Sequence, residues 1–314
     1  MKEFKIAMLG MVDGNGHPFS WSAMFNGYNK EAMEDCGYPV IPRYLEKQPP
    51  HTFGVRGARV THVWCDDPED SKRVADAALI PNILEKPEDA IGKVDAVIVA
   101  TDKGWEHVWR ARPFVEAGIP VFVDKPLADN VEDLKTFIKW VKEGRMILSS
   151  SSLRYMKEYI PYQTSTYELG DLRYINMTMP KSWERYGIHA AEPVFTITGP
   201  GYLSVQNTGG INNNILHLTH ERGIDVNIAS IYDSAASPIK IVGTKGSVTV
   251  PTSDSYFSFH KQLEVFVEYL ETGVRPYPFE ETVELMMVII AGIRSREEGG
   301  RKVMISEIRK ELGL

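Results

Sequence analysis

The chain has 314 residues, 43% of them hydrophobic and 25% charged, and this length predicts two domains of ~150 residues each. A formal net charge of −7 argues against nucleic-acid and anionic-membrane partners, and no stretch approaches the ~18 apolar residues of a membrane span. The two cysteines, Cys36 and Cys65, have neither a metal-binding nor a disulfide spacing. Free buried thiols are typical of a reducing compartment, which predicts a cytoplasmic protein.

The first part of the chain alternates short apolar runs with helical patterns. Buried strands are predicted at 4–9, 60–65, 95–101 and 121–123. Helices are predicted from a cap at Ser20, from Asp67, from about Trp105 with a break or kink at Pro113, and over about 130–143. Four prolines within 30–58 argue against a regular helix or central strand there and indicate an inserted excursion. Strands joined by helices predict a parallel, doubly wound sheet of the Rossmann-like class.

After about residue 148 the pattern changes to strands with few helices between them. Strands are predicted at 174–179, 215–219, 224–232, 239–242 and 247–250, and helices near 262–271 and 280–297. Turn signals between closely spaced strands indicate a largely antiparallel open sheet. We therefore expect an α/β fold with a Rossmann-like dinucleotide-binding domain over 1–123. An α+β domain for substrate binding and oligomerisation is expected over 124–314.

Ligands of open parallel sheets bind beyond the carboxyl ends of the strands, and four such ends have suitable chemistry here. The first, 10–16, offers glycines and backbone amides just before a helix, which suits a phosphate. Asp66 ends the second strand and can accept hydrogen bonds from a ribose diol, which favours NAD, with NADP as the alternative. The candidate cofactor-binding residues are Gly10, Met11, Asp13, Gly14, His17, Asp66, Thr101, Asp102, His107, Asp124, Lys125 and Pro126.

The first of these loops departs from the dinucleotide fingerprint G-x-G-x-x-G. Its glycines fall at 10, 14 and 16, and Asp13 adds a negative charge near the expected pyrophosphate. Asp66 also lies farther along the chain than the usual ~20 residues, because the proline-rich excursion intervenes. The alternative interpretation is a glycine-rich surface turn that binds no phosphate.

The stretch 95–126, DAVIVATDKGWEHVWRARPFVEAGIPVFVDKP, resembles the Gfo/Idh/MocA family of sugar and inositol oxidoreductases. The shared pattern is a buried strand ending in Ala-Thr, a histidine, a helix, a second strand and then Glu-Lys-Pro, with Asp124 here in place of the glutamate. Arg154-Tyr155 resembles the Arg-Tyr that begins the second domain of that family. Gly187-Ile188-His189 resembles its Gly-x-His, whose histidine faces the substrate.

The resemblance implies three catalytic residues. Lys125 would lie beside the nicotinamide and the substrate, where an ammonium can hold the alcohol oxygen and stabilise developing charge. His189 would take the alcohol proton, because its pKa lies near working pH. Tyr186 would be a substitute or assisting acid.

One departure from the family concerns the proton relay. Members often carry an aspartate four residues before the histidine, and Arg185 stands there in this chain, with Glu184 beside it. Two alternatives follow: Glu184 or Glu192 takes the role of that aspartate in proton transfer, or this chain has no such proton relay. The candidate substrate-binding residues are Arg154, Tyr155, Glu184, Arg185 and Glu192. Lys181, Arg185 and Arg154 together raise the hypothesis of an acidic sugar substrate.

These observations predict an NAD(P)-dependent dehydrogenase or reductase that acts on a secondary alcohol of a sugar, polyol or derivative. The rival hypothesis is a dinucleotide- or sugar-binding protein that keeps the fold and has lost the chemistry. A homo-oligomer, dimer or tetramer, is expected through the second sheet, as in the family. No metal is predicted, because the run His217 to Glu221 would place only two ligands on one strand face, whereas zinc requires three or four.

Overall fold

The computed structural model describes residues 3–314, which form two β-sheets covered by helices. The first sheet has six strands, all paired in parallel, in the order β3-β2-β1-β4-β5-β6. These strands are β1 Phe4–Leu9, β2 Ala58–Trp64, β3 Asn82–Ile83, β4 Ala96–Val99, β5 Val121–Val123 and β6 Ile147–Leu148. The central strand β4 is apolar and buried at every position, as strands covered on both faces require.

Helices connect these strands, which confirms the doubly wound class. They are α1 His17–Asn26, α2 Lys30–Glu34, α3 Val40–Leu45, α4 Pro68–Ala77, α5 His107–Glu116 and α6 Val131–Lys142. Asp67 accepts a hydrogen bond from Glu69 N and caps α4, as predicted. Cys36 and Cys65 are both buried and unbridged.

The second sheet has seven strands in the order β12-β11-β7-β10-β9-β8-β13. The remaining elements are α7 Ile160–Thr164, β7 Leu172–Pro180, α8 Trp183–Thr198, β8 Tyr202–Asn207, β9 Asn213–His220, β10 Ile224–Ile231, β11 Ile239–Gly243, β12 Ser247–Val250, α9 Ser255–Thr272, α10 Phe279–Glu297, β13 Val303–Met304 and α11 Ile305–Leu312. Only the β7–β10 pair is parallel, so the prediction of a largely antiparallel sheet is confirmed. None of the helices within residues 3–314 combines the length and apolar character that a membrane crossing needs.

Three local predictions need correction. Ser20 does not cap a helix: α1 begins at His17, with Pro18 in its first turn, and Ser20 is buried inside it. Of the break or kink predicted at Pro113, the break was wrong: α5 continues through Pro113 to Glu116, because the helix loses one hydrogen bond there while the neighbouring Phe114 is fully buried. The excursion 30–58 contains two short helices, α2 ahead of its first proline and α3, which includes Pro42.

The connection between the two sheets runs through β6 and the segment that follows it. Side chains from α9 and the loop after it bind backbone carbonyls of this connection, with Arg275 on Ile147 at 2.8 Å, Tyr277 on Ser149 at 2.7 Å and Gln262 on Ser150 at 2.6 Å. Strand β6 lies beyond residue 123 although it belongs to the first sheet. The division of the chain at 123/124 stays a prediction.

Candidate functional site

The carboxyl ends of β1, β4 and β5 meet at a buried carboxylate, Asp124. Its Oδ2 atom accepts a hydrogen bond from Asn15 Nδ2 at 2.9 Å and lies 2.6 Å from His17 Nδ1, while its Oδ1 accepts from Lys125 N at 2.7 Å. Burial alone would raise the pKa of Asp124, but the charges of His17 and Lys125 and these hydrogen bonds hold it well below its usual range. The ring of Trp21 stacks on His17 at 4.2 Å between centroids and fixes its plane.

Lys125 is the central cation of this site and is only 2% exposed. Its Nζ atom lies 3.5 Å from Asp102 Oδ2 and 4.6 Å from the ring centroid of Tyr186. Burial lowers the pKa of Lys125, but the carboxylates of Asp124 and Asp102 outweigh it and hold the pKa above its ordinary value. Lys125 therefore stays charged in the interior, and the peptide bond to Pro126 after it is cis.

His189 lies on the other side of Tyr186, with 4.9 Å between the two ring centroids. Its Nδ1 atom is 2.7 Å from Ser151 Oγ, and the carboxylate of Glu192 accepts a hydrogen bond from Ser151 N at 2.5 Å. Burial, together with the nearby charge of Lys125, holds the pKa of His189 well below its usual range. His189 is therefore a neutral imidazole, and the expectation that its pKa lies near working pH was wrong: burial beside Lys125 makes it a weaker base than a free histidine.

A close packing contact at Gly187 positions the helix that carries Tyr186 and His189. A Cβ atom on Gly187 would lie 2.2 Å from Trp183 Cε3, so only glycine leaves room for that indole. Trp183 is fully buried and donates from Nε1 to the carbonyl of Ile289 on α10 at 2.9 Å. The Gly-x-His pattern thus serves packing as well as chemistry.

The segment Gly10–Gly16, called the first loop below, is bound by two cations at the start of α8. Lys181 Nζ donates to the carbonyl of Gly14 at 2.8 Å, and Arg185 Nη2 donates to the carbonyl of Asp13 at 2.9 Å. Arg185 is itself held by Asp102, whose Oδ1 atom accepts from Arg185 Nη2 at 2.7 Å and from Nε at 3.0 Å. The first loop is thereby attached over the strand ends.

Asp66 lies at a second edge of the site and is partly exposed. It accepts a hydrogen bond from Arg110 Nη2 at 2.8 Å and a longer one from Met11 N at 3.4 Å. Arg110 stacks on Trp109, with 4.4 Å from its guanidinium carbon to the ring centroid. A narrow slot of about 30 Å³ adjoins this pair and is lined by Trp64, Pro87, Trp109 and neighbouring residues.

Gly10 turns the chain between β1 and the first loop with a φ of +83°. A Cβ atom on it would lie 2.8 Å from Thr101 Cγ2 and 3.2 Å from Arg110 Nη1. Thr101 is fully buried, and its Oγ1 has no hydrogen-bond partner within residues 3–314. Gly10 therefore permits the ends of β1 and β4 to approach each other and Arg110 of α5 closely.

Two of the candidate residues have their polar atoms engaged elsewhere. His107 is fully buried, and its ring nitrogens contact the carbonyls of Thr101 at 2.7 Å and Leu127 at 3.2 Å. Glu184 pairs with Arg296 on the far side of α8. These contacts leave both side chains in structural roles and out of the Lys125 cluster.

Arg154, Tyr155 and Glu192 form a layer behind His189. Arg154 Nε donates to Glu192 Oε1 at 2.6 Å, and burial of Glu192, only partly offset by Arg154, raises its pKa. Arg154 and Tyr155 line a cavity of about 820 Å³ between α8 and α9, whose walls do not include Lys125, Tyr186 or His189. Arg154 and Tyr155, both predicted to bind substrate, thus line a different cavity from the one that adjoins Lys125.

Asn15 and Ser151 were missed by the sequence reasoning. Asn15 is 3% exposed and also accepts from His17 N through its Oδ1 at 3.1 Å. The signal that could have found it is His17-Pro18, since a proline in the first helical turn places the preceding residues at a helix start. No sequence signal marks Ser151, because its contact with His189 depends on how the two sheets pack.

The geometry can be tested against a dinucleotide. At the start of α1, His17 N donates to Asn15, Pro18 has no N–H, and Phe19 N donates to Gly16 at 3.1 Å. The helix start therefore presents none of these three amides to a pyrophosphate. By contrast, the partly exposed carboxylate of Asp66 is free to accept hydrogen bonds from a ribose diol.

The nicotinamide end has no comparable space. The cavity that adjoins Lys125 measures about 10 Å³, whereas bound ligands of this size occupy pockets of ~300 Å³ or more. The first loop and Arg185 lie over the same strand ends. Asp66 thus supplies a polar group that the adenosine ribose needs, but in this loop arrangement neither the slot beside Trp109 nor the cavity beside Lys125 has the volume for either half of the coenzyme.

Comparison with known proteins supplies an independent view. A sequence model of the GFO_IDH_MocA family, described as an oxidoreductase family with an NAD-binding Rossmann fold, matches residues 36–151. A comparison with curated protein sequences finds no significant match.

Solved structures share the whole fold at low sequence identity. A scyllo-inositol dehydrogenase from Lactobacillus casei, with bound NAD(H) and scyllo-inositol, superposes with a TM-score of 0.76 at 14% identity, over 97% of this chain and 100% of the other. A probable dehydrogenase from Thermotoga maritima gives 0.74 at 15%, over 97% and 99%. An oxidoreductase from Agrobacterium radiobacter, in complex with NAD+, L-tartaric acid and magnesium, gives 0.74 at 16%, over 98% and 100%. The similarity to the Gfo/Idh/MocA family of oxidoreductases with an NAD-binding Rossmann fold thus rests on residues 36–151 in sequence and on the whole fold in structure.

Proposed function

We propose that this protein is an NAD(P)-dependent oxidoreductase that interconverts a secondary alcohol and a ketone on a sugar, polyol or derivative. The observation that carries the proposal is the buried cluster of Lys125, Tyr186 and His189 at the strand ends. Similarity to the family supports the reaction class, and the scyllo-inositol in the Lactobacillus casei structure supports the substrate class. NAD is preferred over NADP, because Asp66 would repel a 2′-phosphate.

The roles of the chain's own residues follow from their charge states. Lys125 is a cation and holds the alcohol oxygen, stabilising negative charge as the proton leaves. His189 is neutral and accepts that proton, and Tyr186, whose ring adjoins both side chains and whose hydroxyl accepts from Lys181, is the assisting acid. His17, oriented by Asp124, is a further acceptor at the same strand ends.

The direct test measures binding and turnover in one series. NADH and NADPH are titrated against tryptophan fluorescence, and oxidation of polyols, aldoses and aldonates is followed by nicotinamide absorbance. Lys125→Met should lower kcat by a factor of about 100 or more, because it removes the only charge on the substrate oxygen. Lys240→Gln, at a half-buried position of β11, is the matched control, because Lys240 Nζ contacts Ser247 Oγ and none of the cluster residues. Turnover that survives Lys125→Met would remove Lys125 from the centre.

A second candidate is a binding protein that retains the fold without the chemistry. The attachment of the first loop by Lys181 and Arg185 favours it, because that loop stands over the nicotinamide position. Binding of a dinucleotide or sugar without turnover across the panel would select this candidate.

Two further properties belong to the same proposal. We propose assembly as a dimer or tetramer through the open face of the second sheet, where Ile215 and Leu203 are about half exposed. Analytical ultracentrifugation tests it, and a monomer at micromolar concentration would contradict it. The buried, unbridged cysteines are consistent with the reducing cytoplasm that we propose as the compartment.

A further inference from the structure

The first loop offers its two cationic partners a pair of neighbouring oxygens. The carbonyl oxygen of Asp13 accepts from Arg185 at 2.9 Å, and the next carbonyl, of Gly14, accepts from Lys181 at 2.8 Å. These two adjacent carbonyl oxygens accept hydrogen bonds from one arginine and one lysine, as the two oxygens of a carboxylate would. These carbonyls bring only partial charge, whereas a carboxylate brings a full one.

Lys181 is the cation whose charge the fold leaves uncompensated. Within residues 3–314 no carboxylate oxygen lies within 4.0 Å of its ammonium, whose other contact is the hydroxyl of Tyr186 at 2.6 Å. Lys181 also has a φ of +64°, an uncommon conformation for a lysine that directs it from the end of β7 toward the first loop. An anion would therefore find an ammonium already held in position.

The neighbouring charges add to this attraction. Arg185 and Lys125 share the buried carboxylate of Asp102, and Asp124 compensates Lys125 from the other side. The exposed side chain of Asp13, on the first loop, is a third carboxylate that acts on Arg185. When the first loop is released, Asp13 leaves with it, and the cations Lys125, Lys181 and Arg185 then face only the carboxylates of Asp102 and Asp124. A ligand with a single negative charge would restore the balance.

We propose that the substrate is a sugar acid whose carboxylate binds Lys181 and Arg185 in place of the carbonyl oxygens of Asp13 and Gly14. This displacement releases the first loop from the strand ends and opens the space beside Lys125. The inference rests on the proposed function, of which it names the substrate class. It accounts for Arg185, since this side chain both recognises the acid and holds the loop in its absence.

Binding can be measured on the apo protein, without nicotinamide. Calorimetric titration with D-gluconate and D-galacturonate should give saturable binding, and D-glucose should bind at least about tenfold more weakly, since it lacks the charge. Lys181→Gln keeps a donor for Gly14 but loses the charge and should weaken gluconate binding about tenfold, while Lys181→Arg retains it. The control Lys240→Gln should bind like the wild type.

Hydrogen exchange reports on the loop itself. Saturating gluconate should speed amide exchange in residues 11–16 by about fivefold or more, because the loop loses both cationic partners. The double variant Lys181→Met with Arg185→Met should show the fast exchange without ligand.

The outcomes separate the two proposals. Equal binding of gluconate and glucose, undiminished binding to Lys181→Gln, no binding of either acid, or preferential binding of inorganic phosphate would each overturn the sugar-acid inference. Turnover of neutral polyols alone would overturn it too, while leaving the proposed oxidoreductase intact. Charge-dependent gluconate binding without any NADH or NADPH binding would retain the inference and remove the oxidoreductase.

Discussion

His17 Nδ1 and Asp124 Oδ2 lie 2.6 Å apart, and this contact fixes how the imidazole is protonated. Because a carboxylate can only accept, the neutral ring must carry its hydrogen on Nδ1 and expose the lone pair of Nε2. Only 13% of the His17 side chain is exposed, so that lone pair is its main means of contact with a ligand. In its neutral form, His17 therefore presents Nε2 in a fixed orientation at the start of α1.

Asp124→Asn should therefore change the tautomer of His17. The amide can donate or accept, so the Nδ1–H form should lose its dominance, and long-range 1H–15N NMR would detect the mixture. Asp225→Asn, which alters the partner of the exposed His217, controls for loss of any histidine-paired carboxylate. An unchanged His17 pattern would show that Asp124 does not set the tautomer.

The stability of the protein should fall in mild acid because of His189. Its folded pKa lies well below the ordinary 6.5, since burial and Lys125 disfavour the charge, so the unfolded chain binds more protons below that pH. His189 thus contributes stability that is complete above pH ~6.5 and declines as pH falls toward the folded pKa, by roughly 1 kcal/mol at pH 5.5. Denaturant unfolding at pH 7.5 and 5.5 should show a smaller difference for His189→Gln than for wild type. An equal difference would contradict the neutral assignment, and His217→Gln is the exposed control.

Lys125→Met should destabilise the fold as well as the chemistry. It leaves the buried carboxylates of Asp102 and Asp124 without their shared cation, and breaking such a pair costs about 3–5 kcal/mol. Asp102→Asn should cost less free energy of unfolding in the Lys125→Met background than in the wild type, because Asp102 there keeps Arg185 as its cationic partner but has lost Lys125. If the two substitutions were simply additive, the proposed coupling would be absent.

Gly187→Ala should destabilise α8 by about 1–3 kcal/mol, because the new methyl group overlaps the buried indole of Trp183. Gly210→Ala is the matched control, since a Cβ there meets nothing within 4 Å. Thermal or urea unfolding measures both. A Gly187→Ala protein as stable as the control would show that Trp183 can move without cost.

Asp66→Asn should shift cofactor preference toward NADPH. The wild-type carboxylate favours a ribose diol, and its loss frees Arg110 to meet a 2′-phosphate. Global stability should change by less than about 1 kcal/mol, because the Asp66 carboxylate is largely solvated. The ratio of NADPH to NADH affinity, from fluorescence titration, should rise about tenfold; an unchanged ratio would place the adenosine elsewhere.

Much of the fold could be predicted because the buried parallel strands are continuous apolar runs, as at β4. The two-residue strands β3 and β6 are too short to leave a hydrophobic pattern, and α8 was obscured by Gly187 and Pro193 within it. The strand ends likewise predicted that the residues after β4 and β5 lie close together, and Asp102 Oδ2 is 3.5 Å from Lys125 Nζ. The contacts of Lys181 and Ser151 could not be predicted, since they depend on how the second sheet packs against the first.

The carbonyls of Ile147, Ser149 and Ser150 are each held by a side chain from α9 or from the loop that follows it. These three hydrogen bonds restrain the backbone that connects the first sheet to the second. Access of a ligand to the strand ends should then require displacement of the first loop and not a hinge motion between the two sheets. The seven residues of the first loop should accordingly control ligand entry, while the positions of the two sheets stay unchanged.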